Sequence, residues 1–126
     1  MKKLKKKLWK ELSLYVRRKE ADSSGYNYCY TCGKILHYKE LQAGHAIAGR
    51  NNAVLFDEEI IRPQCRYCNC IRHGEQYIFA KKLDKENGEG FFERKFSGSR
   101  DAVKFTKAQL EELLSKYKEL NKTFPD

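Results

Sequence analysis

Two Cys-x-x-Cys pairs, Cys29/Cys32 and Cys65/Cys68, stand on either side of residues 33–64. Nothing else in the chain restricts its fold as strongly. Four thiolates at about 2.3 Å satisfy a tetrahedral Zn²⁺ completely, so such a set is structural and leaves no position open for chemistry. It would also contribute folding energy to a core built of short apolar runs. Gly33 follows the first pair and offers the positive φ that a metal-binding knuckle needs after its second cysteine. Cys70 makes the cysteine count five. An odd count, with no apolar stretch after the basic N-terminus to act as a secretory signal, argues against a disulfide framework and for a reducing cytoplasm. Cys70 is read as a packing residue rather than a ligand.

Around this framework the pattern predicts an α+β fold. An amphipathic helix is expected over 2–21, with Leu4, Leu8, Leu12 and Tyr15/Val16 on one face and Asp22-Ser23-Ser24-Gly25 as its stop. Ile35–Tyr38 and Gln42–Ile47 are expected to pair as strands. A helix should open at the second Cys-x-x-Cys and break near Gly74. Another should cover Glu75–Glu86, stopped by Asn87-Gly88. Residues 90–98 read as irregular, with Phe91, Phe92 and Phe96 docking on the core. The last helix is marked by a Thr106/Gln109 capping box and an apolar stripe of Leu110, Leu113, Leu114, Tyr117 and Leu120. The chain divides into a basic N-terminal helix (1–25), a zinc-bound core (26–75) and a helical region (76–126), all within one domain.

Three polar residues near the zinc framework have catalytic chemistry. His45 ends a strand among small neighbours (Ala43-Gly44-His45-Ala46), which leaves its imidazole accessible. Asn69 and His73 are four residues apart, a spacing that puts both on one face of an α-helix. Zinc shared by the two knuckles would draw the strand and the helix together as a ββα unit. That layout suits phosphodiester hydrolysis, in which a hard cation stabilises developing charge and a separate histidine deprotonates water.

The charge points the same way. The net charge is +9, and residues 1–20 hold nine Lys/Arg against two acids. Lys2, Lys3, Lys5, Lys6, Lys7, Lys10, Arg17 and Arg18 form a basic arm for a polyanion. No apolar run approaches the roughly 20 residues of a membrane span, so a membrane partner is not expected.

Tyr28-x-x-x-Cys32-Gly33, Gln42-Ala43-Gly44-His45, Arg50, Phe56-Asp57-Glu58, Gln64-Cys65-x-x-Cys68-Asn69 and His73-Gly74 together resemble the phage recombination protein NinG (Rap) family. These are HNH-like, ββα-metal nucleases with a treble-clef type zinc core. The Cys-x-x-Cys-Asn element is also similar to that of endonuclease VII-type junction resolvases. The resemblance implies His45 as general base, and Asn69, His73 and Asp57 as holders of a catalytic Mg²⁺ or Mn²⁺. It implies Arg50 as a phosphate-binding residue, through its fork of donors. Where HNH proteins often have a carboxylate before the base, this chain has Gly44. Asn51, Ile60, Arg62 and Glu75 also differ from what relatives tend to carry.

The reading that follows is a metal-dependent endonuclease acting on branched or recombination-intermediate DNA in a bacterial or host-cell cytoplasm, with a homodimer supplying the two cuts that junction resolution calls for. The alternatives are a zinc module that binds nucleic acid without cutting it, and a protein-interaction domain docking through Leu110–Leu120.

Overall fold

A computed structural model describes residues 1–125. The elements run α1 (Lys2–Arg18), β1 (Tyr26–Tyr28), β2 (Ile35–His37), β3 (Gln42–His45), α2 (Asn52–Leu55), β4 (Ile61–Gln64), α3 (Gln76–Asn87), α4 (Phe91–Ser97) and α5 (Lys107–Asn121). The class is α+β, with two small antiparallel sheets.

The long helices form where the apolar period is clearest. Leu8, Leu12 and Val16 repeat every four residues, and all three are buried. They pack with Leu110 and Tyr117 of α5, and with Ala43, Phe56 and Ile61 from the β3–β4 side. Each fully buried leucine of this kind contributes roughly 1.5–3 kcal/mol. The capping box of α5 is present, with Gln109 N–H donating to Thr106 Oγ1 at 3.1 Å and Thr106 N–H to Gln109 Oε1 at 2.9 Å. Asn121 Nδ2 donates to the Glu11 carbonyl at 2.9 Å and ties the end of α5 to α1. The basic helix is therefore not an appended arm. Its apolar face is core, and the Leu110–Leu120 stripe is largely occupied by covering it.

The strands pair differently from the sequence expectation. Ile35–His37 pairs with Tyr26–Tyr28, and Gln42–His45 pairs with Ile61–Gln64. The physical reason lies in the first knuckle, which is itself the turn of the β1–β2 hairpin. Gly33 takes φ +80°, and Cys29 N–H closes the turn on the Lys34 carbonyl at 2.8 Å. A 3₁₀ turn at Tyr38–Glu40 then redirects the chain, so β3 meets β4 instead of β2. Tyr30 N–H donates to the Pro63 carbonyl at 2.8 Å and brings the first knuckle against β4.

After Cys65 the chain makes a π-helical turn, Tyr67–Ile71, rather than a regular helix. Arg72 N–H reaches the Tyr67 carbonyl at 2.8 Å, five residues back. His73 and Glu75 then adopt φ +53° and +49° on either side of Gly74. Left-handed backbone at two non-glycine residues ends the turn and resets the direction of α3. Residues 91–97 are helical, not irregular: Gly90 at φ +83° starts the helix, and Phe91 and Phe92 pack on the core formed by Tyr30, Ile47, Phe79 and Leu83. Phe96 is exposed instead. No helix among the described residues is long and apolar enough to cross a membrane.

Candidate metal centre and the histidine beside it

The Sγ atoms of Cys29, Cys32, Cys65 and Cys68 all lie within 4.8 Å of one another. Arms of about 2.3 Å in a tetrahedron give edges of about 3.8 Å, and Cys32 Sγ to Cys65 Sγ is 3.8 Å. Three of the four are buried and Cys32 is exposed. The donor set therefore suits a metal ion such as zinc in both chemistry and spacing. Burial pushes the pKa of Cys68 up to about 12, with the neighbouring thiols adding to it. Burial acts on Cys29 in the same direction, yet the hydroxyl of Thr31 and backbone hydrogen bonds at Cys65, Cys32 and Thr31 together draw it down to about 6. A cation removes this conflict, because it favours the thiolate at every position. Cys70 lies outside the set; its exposed Sγ donates to Gln42 Oε1 at 3.3 Å.

Gln64 couples this centre to the rest of the molecule. It is fully buried, and its Nε2 donates to Thr31 Oγ1 at 3.0 Å and to the Gly74 carbonyl at 2.9 Å. Its Oε1 has no hydrogen-bond partner among the described residues. That oxygen lies against the α-carbon of Gly44: a Cβ on Gly44 would stand 1.8 Å from Gln64 Oε1 and 3.1 Å from Asn69 Oδ1. Without a Cβ, Gly44 leaves that direction to the amide oxygen. This accounts for glycine at position 44. We expect Gly44→Ala to displace Gln64 from both of its bonds and to cost about 3–5 kcal/mol, from overpacking plus broken buried hydrogen bonds. A denaturant midpoint unchanged from wild type would show that the close approach is not tight.

His45 ends β3. Its Nε2 lies 3.1 Å from the Leu55 carbonyl. A carbonyl only accepts, so Nε2 carries the proton and Nδ1 is left with its lone pair. The imidazole stacks on Trp9 of α1, with ring centroids 4.9 Å apart and planes 19° apart. Burial draws its pKa below 6.5, and the bond to Leu55 opposes this only in part.

Asn69 Nδ2 donates to Gln42 Oε1 at 2.8 Å, which turns its Oδ1 towards Gly44. His73 is exposed and does not share an α-helical face with Asn69, because the π turn and the left-handed His73 intervene. It borders His45 through Gly74, whose Cβ direction meets the His45 carbonyl at 3.9 Å. The structure thus sets Asn69 against Gly44 and the Gly74 corner against the His45 carbonyl, while the His45 imidazole turns to Trp9 and Leu55. Asp57 is already engaged: its carboxylate pairs with Lys95 Nζ at 2.8 Å and accepts from Glu59 N–H at 3.1 Å. Arg50 is exposed and its side chain makes no hydrogen bond among the described residues. Asn51, at the end of the same loop, donates to the Ser99 carbonyl at 3.1 Å.

The basic residues of α1 separate into two groups. Lys2, Lys3, Lys6, Lys7 and Lys10 are exposed and form no ion pair among the described residues. Lys5 donates to Asn52 Oδ1 at 3.0 Å, and Arg17 to the Ser13 and Tyr38 carbonyls at 3.1 Å. Arg18 bonds the Pro125 carbonyl and lies over the rings of Tyr38 and Phe124. These three fasten the helix.

The family model for the bacteriophage lambda NinG protein matches residues 1–125. The chain belongs to the NinG family. No match was found among curated proteins or among solved structures. The NinG match runs from α1 to the end of α5, so the family pattern takes in the two packed helices as well as the cysteine centre.

Proposed function

We propose that this NinG-family chain is a zinc-stabilised, metal-dependent endonuclease that cuts branched or recombination-intermediate DNA. The observation that carries the reading is the state of His45. Its Nε2–H is fixed on Leu55, its Nδ1 is free to accept a proton, and burial keeps it neutral. That is the form a general base needs near neutral pH.

Asn69 Oδ1 and the His73 imidazole make no hydrogen bond among the described residues and would be the oxygen and nitrogen donors for a hard divalent ion. A bound Mg²⁺ or Mn²⁺ would supply charge stabilisation at the scissile phosphate and its leaving oxygen. His45 takes the proton from the attacking water at Nδ1, while the Leu55 bond and the Trp9 ring hold the imidazole in one orientation. Arg50, exposed on the loop after β3, contributes its guanidinium to a phosphate. Asp57 serves the fold through Lys95 rather than the metal. The centre of Cys29, Cys32, Cys65 and Cys68 holds the hairpin to the π turn that carries Asn69 and leads into His73. A homodimer would place two such centres on one junction.

The free lysines of α1 provide the grip. Replacing Lys2, Lys3, Lys6, Lys7 and Lys10 with glutamine leaves the apolar face of α1 intact, whereas deleting this segment would remove Leu8 and Trp9 from their packing. The five-fold variant should bind DNA more weakly whatever its sequence. The slope of log K against log salt should become shallower by up to about 0.9 for each phosphate that is no longer neutralised. A slope equal to that of wild type would contradict an electrostatic role for this face. Incubation of branched and linear DNA with Mg²⁺ or Mn²⁺ tests the nuclease itself; strand scission is expected, and binding without scission would leave a non-catalytic zinc module.

A further inference from the structure

Large apolar side chains stand in the open along the stretch of chain on either side of His73. Tyr67, Ile71, Tyr77 and Ile78 are 58, 53, 71 and 38% exposed, and all four lie on the π turn or the first turn of α3, flanking His73. An exposed apolar group this concentrated marks a binding surface. Its charge says what kind. Arg66, Arg72 and Lys81 are exposed within the same stretch, and the one acid there, Glu75, is held by Arg72 at 3.3 Å. Two of these cations sit on the tyrosine rings: Arg72 lies 5.9 Å from the centre of Tyr67, and Lys81 lies 5.0 Å from the centre of Tyr77.

We propose that Tyr67 and Tyr77 form a stacking platform for unpaired bases of nucleic acid, placed next to the candidate cleavage centre. The inference rests on the reading of the protein as a DNA-binding nuclease and adds how it selects its substrate. A tyrosine with a cation over one face and solvent on the other presents that second face to a base, while the cation meets the adjoining phosphate. Stacking is indifferent to base identity because every base has a π-face. It does require that the base has left the duplex, so a platform of this kind prefers bulges, flaps and branch points to continuous double helix. The platform places the opened bases beside the turn that carries His73. The platform is joined to the site through Gln76, whose Nε2 donates to the Ala46 carbonyl at 3.2 Å, and through Gly74 against His45. Bases held there leave the phosphates of the neighbouring paired segment near His45.

The test uses the full zinc-loaded chain without added Mg²⁺, so that binding is read apart from cleavage. Affinities are measured for a duplex and for the same duplex carrying an unpaired bulge, at several salt concentrations. Wild type should prefer the bulged DNA. The double variant Tyr67→Ala/Tyr77→Ala should lose about tenfold or more on the bulged DNA and little on the duplex, since only the unpaired bases stack on these rings. Its salt slope should stay as in wild type, because every cation that meets a phosphate is kept. Tyr67→Phe/Tyr77→Phe should retain the preference. Both rings are exposed, so an unchanged melting temperature is expected and confirms that the variants are folded. A preference that survives in the alanine variant, or equal losses on both DNAs, overturns the platform. Sedimentation showing a wild-type dimer that the alanine variant cannot form would assign the patch to a second copy of the chain and overturn it too. If wild type binds neither DNA, the nuclease reading falls with it; if wild type binds both equally, only the platform falls.

Discussion

Stripping the metal from Cys29, Cys32, Cys65 and Cys68 will unfold the protein at room temperature. Three of these cysteines, with Leu36 packed on them, make up a core cluster of their own, and beside it the β1–β2 hairpin is tied to β4 and the turn after it by the Tyr30–Pro63 and Gln64 hydrogen bonds. Structural zinc contributes roughly 10–16 kcal/mol in small metal-binding modules, and a domain of this size has a total stability of about 5–15 kcal/mol. Loss of the ion therefore exceeds what the remaining contacts supply. A strong chelator should abolish the cooperative thermal transition, and readdition of Zn²⁺ should restore it. Cys29→Ser and Cys68→Ser should lose the bound equivalent of zinc and fail to fold stably. Cys70→Ser should keep both zinc and melting temperature, because its thiol reaches only Gln42. Atomic absorption and calorimetry on the purified chain decide the matter; a protein that keeps its transition after complete demetallation would contradict the assignment.

His45→Ala is expected to lower the cleavage rate by about 10²–10⁴-fold, the usual contribution of a positioned general base. DNA affinity should barely change. The stability loss should stay near 1–3 kcal/mol, since the variant gives up one hydrogen bond to Leu55 and one stack on Trp9. The pH dependence has a definite sign. Burial holds the folded-state pKa of His45 under 6.5, so the base is neutral above that value and the wild-type rate should fall only as the pH drops below it. The same shift acts on folding. Between the folded-state pKa and 6.5 the unfolded chain binds more protons at this residue, so its share of stability declines with falling pH. Rates measured from pH 5 to 8 should show the acid limb below about 6.5, and a limb well above that range would point to a different base.

Legibility in the sequence followed the strength of local patterning. The four-residue spacing of Leu8, Leu12 and Val16 and the Thr106/Gln109 box mark α1 and α5 nearly to their ends, because each turn repeats the same apolar choice. The two Cys-x-x-Cys pairs announce the clustered thiols for the same reason: the chemistry requires that spacing. The strands were not readable in this way. With three or four residues each, they carry almost no alternation, and their partners are chosen by the knuckle turn and by the Tyr30–Pro63 bond. The offset of Asn69 from His73 also escaped the pattern, since a π turn has no distinct residue signature and an i, i+4 pair assumes an α-helix. Gln64 could have been found: it shares a strand face with Arg62, opposite to Ile61 and Pro63, and directly precedes Cys65. Trp9 could not, because its stack on His45 joins residues 36 apart in sequence through the packing of α1 on β3.

The central claim, that this NinG-family fold cuts DNA from His45, is tested most directly by metal-started cleavage of an end-labelled four-way junction. Wild type with Mg²⁺ or Mn²⁺ should nick the junction near its branch point, and the folded, zinc-loaded His45→Ala protein should bind the same DNA and leave it whole. Intact junction in the presence of bound wild type under both metals, or equal nicking by the two proteins, would contradict the account.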